Sequence, residues 1–129
     1  IYSGTLASCP DIKFIVSHAG GTVPYLAWRI SLLQYMPGRK KKAPQGVTHY
    51  LKRLYYDTAL SASPYALRSL QELVDPSHIL FGSDYPFAPD PLTSVSIKGL
   101  KNYEGFDEQA LKAIDHGNAL QLFPRLRVG

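Results

Sequence analysis

Apolar positions along the chain alternate between short runs and helical stripes. Ile12 to Ser17 is a brief apolar run rich in β-branched residues, the pattern of a strand buried on both faces. It ends in His18-Ala19-Gly20-Gly21. Beyond it Thr22 is placed to cap a helix that tolerates Pro24 in its first turn, with Val23, Leu26, Ala27, Ile30 and Leu33 on one face. Val47 to Arg53 reads as a short helix leading into a second strand, Leu54 to Tyr56, which ends at Asp57-Thr58.

The unit then repeats. Ser63 and Pro64 form an N-cap and first-helical-residue pair, and Leu67, Leu70, Leu73 and Val74 give the next helix its buried stripe before Asp75-Pro76 stops it. The third strand is Ile79 to Phe81, running into Gly82-Ser83-Asp84-Tyr85-Pro86. Asp90-Pro91 starts a helix toward Tyr103, and a last helical stretch is capped at Asp107, breaks at Gly117 and restarts at Asn118 through Phe123. Ile1 to Ser8 reads as the tail of a helix. Strand alternating with helix three times predicts an α/β fold with a parallel sheet and right-handed crossovers. Three strands cannot close a barrel, and left open they expose two edges, so further strands or another chain are expected.

Composition fits one folded unit. The 129 residues are 45% hydrophobic, 19% charged and 12% aromatic, enough apolar content for a core and too little charge for disorder. The single cysteine, Cys9, excludes an internal disulfide, so a cytoplasmic protein is expected. No apolar run reaches the roughly 20 residues of a membrane-spanning helix. The net charge of +4 is local: without Arg39, Lys40, Lys41 and Lys42 the chain has 10 basic and 10 acidic residues. Four cations on one loop give weak, salt-sensitive phosphate binding, so nucleic acid is not the expected partner.

In parallel α/β folds, chemistry gathers where strands end at their carboxyl edge. His18, Asp57 and Asp84 each follow one of the three strands, so all three are expected on one rim of the sheet. Asp84, after Gly82 and Ser83 and before Pro86, suits either a metal ligand or a turn cap. His18 suits an acid/base or ligand role beside the small Gly20-Gly21, or a histidine bonded to backbone. Asp57 reads as an orienter of a ligand or as a loop cap. His78, at the start of its strand, and His49 and His116, on helices, are read as structural.

The segments His18-Ala19-Gly20-Gly21, Tyr56-Asp57-Thr58, Ile79 to Pro86 and Gly117-Asn118-Ala119 follow the order found in amidohydrolase-related barrels. Over nearly its whole length the chain resembles the decarboxylase branch of that family, which includes aminocarboxymuconate-semialdehyde, resorcylate and methylsalicylate decarboxylases. The resemblance implies that the three strands are the sixth to eighth of a TIM-type (β/α)8 barrel. Residues 1–129 are then a single partial barrel domain, its C-terminal portion, truncated on the N-terminal side. It further implies a divalent metal, zinc first and manganese as the alternative, with Asp84 as a ligand and His18 and Asp84 as catalytic groups. Arg29 matches an arginine that holds a substrate carboxylate across a subunit interface.

The resemblance thus implies a metal-dependent decarboxylase acting on an aromatic or unsaturated carboxylic acid. A hydrolase of the same framework and a non-catalytic assembly module are the alternatives. No two histidines here stand two residues apart, so the family's His-x-His metal pair is absent from the chain. The chain alone is therefore expected to be inactive, and a homo-oligomer or complementing chain is expected to complete it.

Overall fold

The computed structural model describes residues 1–127. Three parallel strands, β1 (Ile15–Val16), β2 (Tyr55–Asp57) and β3 (Ile79–Leu80), pair in the order β1-β2-β3. Ile15 lies opposite Tyr55, Val16 opposite Tyr56, and Asp57 opposite Leu80, so the three chain segments leave the sheet on the same side. That register brings the loops after the strands together, as the strand-helix alternation predicts.

The helices are α1 (Thr5–Ser8), α2 (Val23–Leu32), α3 (Val47–Lys52), α4 (Pro64–Leu73), α5 (Asp90–Lys101), α6 (Glu108–Lys112) and α7 (Asn118–Leu122). Local chemistry explains several of their ends. The Ser63 side chain accepts from the Ala66 N–H and Pro64 fills the first position of α4, while the Asp107 carboxylate accepts from the Ala110 N–H at the start of α6. Asp75 accepts from the Ser77 N–H at 2.9 Å, and this bond holds its carboxyl below the ordinary carboxylate range.

The core lies between the sheet and α3, α4 and the C-terminal helices, with Val47, Tyr56, Leu67, Leu70, Ile79 and Ile114 sealed from solvent. Each such aliphatic side chain contributes about 1.5–3 kcal/mol of burial free energy. The Phe81 N–H donates to the Ile114 carbonyl at 2.8 Å, tying the exit of β3 to the C-terminal helices.

Four details depart from the sequence reading. The first strand covers only Ile15–Val16, and Ile12 and Ile15 are exposed, because β1 is an edge strand without the cover that the C-terminal helices give β3 at the other edge. Thr22 makes no side-chain cap and Leu33 is exposed, since α2 ends before it and runs into a tight turn. Leu54 stays outside β2. Gly117 does not break the last helix: at φ −58° and ψ −46° it carries a π turn over Ala113–Gly117 directly into α7.

Candidate active site

The site is built on the rim where the strands end. Asp57, the last residue of β2, turns its Oδ1 back across the sheet and accepts the backbone N–H of His18 at 2.8 Å. The same oxygen accepts the Ala59 N–H at 3.0 Å. The carboxylate therefore clamps the turn after β1 to the turn after β2. His18 Nδ1 lies 3.0 Å from the Ala59 carbonyl oxygen, which can only accept, so Nδ1 carries the proton. In the neutral ring, Nε2 is left with the lone pair, and His18 is exposed.

Two glycines make this arrangement sterically possible. A Cβ at Gly82 would come within 3.1 Å of both Cβ and Cγ of Asp57, so the exit of β3 can approach the carboxylate only without a side chain. Gly20, at φ 77°, packs so closely on the Tyr56 ring that a Cβ there would lie 2.8 Å from it. Tyr56 is wholly buried, donates its hydroxyl to the Leu51 carbonyl at 3.0 Å, and has its pKa pushed up to about 12 by burial. The His18 loop thus rests on a rigid aromatic floor.

The backbone is left-handed at both predicted catalytic positions. His18 has φ 56° and Asp84 has φ 62°, the left-handed region that side chains other than glycine, asparagine and aspartate enter at a cost. Such conformations persist where the surrounding structure fixes them, and they gather at functional sites. Behind Asp84 its carbonyl accepts the Ala88 N–H at 2.8 Å, Ser83 Oγ accepts the Tyr85 N–H, and Tyr85-Pro86 is a cis peptide. Among the described residues no donor meets the Asp84 carboxylate, so its oxygens are available to a ligand.

The structure therefore joins His18 to Asp57 directly and sets the segment leading to Asp84 against them through Gly82. Arg29 stands apart, exposed on α2 beside exposed Tyr25 and Trp28, without an ion pair among the described residues. His78 is bonded to the Leu54 carbonyl and stacked on Tyr55 at the far end of β3, as a structural histidine should be. Sequence reasoning missed Thr58, buried between the strand ends with its hydroxyl accepting the Gly82 N–H at 3.3 Å. It read Asn118 only as a helix restart within the Gly117-Asn118-Ala119 segment, whereas its buried amide donates to the carbonyls of Pro76 and Ile79 at 2.8 and 2.7 Å. The polar residue after Gly117 was the available signal.

The chain's own donors do not make a complete metal centre. No group of three or more His, Cys, Asp or Glu side chains converges among the described residues. A catalytic zinc takes about three protein ligands. Asp84 can supply one oxygen, whereas one oxygen of Asp57 is already occupied by two backbone N–H groups.

Three parallel βα units with a histidine and a carboxylate on their carboxyl rim have the fold of the C-terminal portion of a (β/α)8 barrel. The amidohydrolase family model matches residues 1–125, and the chain belongs to that family. It is 40% identical over 126 residues to a 6-methylsalicylic acid decarboxylase of Penicillium expansum, covering 97% of this chain and 39% of that protein. The chain thus spans about two fifths of the length of such relatives. A dihydroxybenzoic acid decarboxylase of Polaromonas sp. JS666, solved with manganese and the inhibitor 2-nitroresorcinol, superposes with a TM-score of 0.78 at 26% identity. That match covers 98% of this chain and 38% of the neighbour. A structure described as amidohydrolase II gives 0.82 at 26% identity, over 94% and 38% respectively. Among the described residues no helix is long and apolar enough to cross a membrane.

Proposed function

We propose that the protein carrying this chain decarboxylates an aromatic carboxylic acid, with His18 and Asp84 at its reacting centre. The observation that carries this reading is the pairing of left-handed backbone with placement. His18 and Asp84 both sit in left-handed backbone on one rim, and Asp57 anchors the first of them. The similarity to 6-methylsalicylic acid and dihydroxybenzoic acid decarboxylases supports the reaction class.

Decarboxylation of such an acid needs a proton delivered to the ring carbon that bears the carboxylate. Once that carbon is tetrahedral, its bond to the carboxylate breaks, the electron pair restores the aromatic ring and carbon dioxide leaves. Asp84 is the group we assign to that proton transfer. His18, with Nε2 free and exposed, exchanges protons between the site and solvent. A carboxylate substrate also needs a cation to orient it, and Arg29 offers a planar two-point donor. The exposed aromatic surface around Arg29, with Tyr25 84% and Trp28 76% accessible, supports a second copy covering that helix and carrying Arg29 toward the neighbouring site.

A divalent cation, zinc or manganese, belongs to this reading only with ligands from beyond the chain. Asp84 is the ligand this segment offers. Both ions accept carboxylate oxygen, and metal analysis of the full-length protein decides between them. The activity test is incubation of that protein with 6-methylsalicylic acid, following carbon dioxide and 3-methylphenol. Release of both in equal amounts supports the reading. Failure to decarboxylate that acid or 2,6-dihydroxybenzoic acid contradicts it.

A further inference from the structure

A strained leucine stands in the turn that holds His18. The Ser61 N–H donates to the Thr58 carbonyl at 3.0 Å, closing a four-residue turn in which Leu60 occupies the third position at φ 51°. A positive φ there is the conformation for which turns take glycine or asparagine. The turn has clear work to do: the Ala59 N–H meets the Asp57 carboxylate and the Ala59 carbonyl holds the His18 ring. That work involves only backbone groups, so a glycine at position 60 would make the same turn at lower cost. Core packing does not account for the leucine either, because its side chain is 48% exposed while Thr58 and Ala59 beside it are buried.

We propose that Leu60 is a specificity residue, presenting an apolar contact to the ring of the aromatic acid bound beside His18. This inference rests on the decarboxylase reading and deepens it. The leucine follows β2 on the same rim as His18 and Asp84, directly after the residue whose carbonyl orients the His18 ring. An apolar side chain on the mouth of such a site favours a substrate with a methyl-bearing ring over one whose ring carries a second hydroxyl. Apolar pocket contacts of this size change kcat/KM by about 10-fold to 200-fold.

The test uses the full-length protein with Leu60→Gly and Leu60→Asn, both compatible with a positive φ. Each is assayed on 6-methylsalicylic acid and 2,6-dihydroxybenzoic acid and melted thermally. Relief of strain should raise Tm by about 2 °C in both variants. Loss of the apolar contact should raise KM for 6-methylsalicylic acid about 10-fold with kcat within about twofold. The preference for it over the dihydroxy acid should fall by a similar factor. Unchanged KM and preference in folded variants overturn the assignment while leaving the decarboxylase reading intact, and a lowered Tm overturns the strain argument. A wild-type protein inactive on both acids sinks both readings.

Discussion

Asp57 holds His18 by its backbone, accepting the His18 N–H at 2.8 Å through the oxygen that also accepts the Ala59 N–H. The carboxylate is thus a brace between two strand ends, and the imidazole is oriented one step later by the Ala59 carbonyl. Removing the brace should move the ring without touching it. In Asp57→Ala, two backbone donors lose their acceptor, and urea unfolding should show a loss of about 2 kcal/mol. Asp57→Asn keeps an acceptor oxygen and should lose about 1 kcal/mol. In the full-length protein the alanine variant should lose kcat more than the asparagine variant, and equal loss in the two would argue against positioning.

Gly82 tests the same brace from the other side. Its absent Cβ would stand 3.1 Å from Asp57 Cβ and Cγ and 3.4 Å from Ala59 Cβ, so Gly82→Ala must displace Asp57 by a few tenths of an ångström against the bonds to its two donors. Overpacking of this kind costs about 1–3 kcal/mol. The melting temperature should fall and kcat should fall with it. An alanine variant with wild-type stability would mean that the two strand ends are not packed as described.

Burial of Tyr56 sets a pH limit. The folded protein keeps this phenol protonated up to about 12, whereas in the unfolded chain it ionises near 10.0. A raised folded-state pKa means that the phenol's contribution is fully present below pH 10.0 and is lost as the pH rises through about 12. Tyr56→Phe removes that ionisation but strands the Leu51 carbonyl. Thermal melts should therefore show the variant less stable at neutral pH, with a shallower decline across the alkaline range. Parallel declines in the two proteins would contradict the burial.

Much of this was legible in the sequence for local reasons. Ser63-Pro64 and Asp107 announce helix starts through chemistry confined to one turn, and the alternation of apolar runs with helical stripes gives the parallel sheet. His18, Asp57 and Asp84 were legible as rim residues because each follows a strand. Half of what Asp57 does was legible, since its cap on the Ala59 N–H is local to the turn, whereas its hold on the His18 N–H depends on a backbone group 39 positions away. The left-handed backbone at His18 and Leu60 was not legible either, since neither residue is the glycine or asparagine that usually signals it. Ile12 and Ile15 misled because an apolar strand reads the same whether or not a neighbour covers it. Gly117 misled because its freedom includes helical values.

The central claim is that Asp84 is a working group of a decarboxylase site, and one substitution tests it most directly. In the full-length protein, Asp84→Ala should stay folded with a Tm lowered by a few degrees, because alanine meets the φ of 62° at a cost of about 1–2 kcal/mol while the lost carboxylate takes no hydrogen bond from the described residues. Its kcat on 6-methylsalicylic acid should drop by about 1,000-fold, within the range by which positioned proton-transfer groups accelerate reactions. Wild-type turnover by the Asp84→Ala protein would contradict the account.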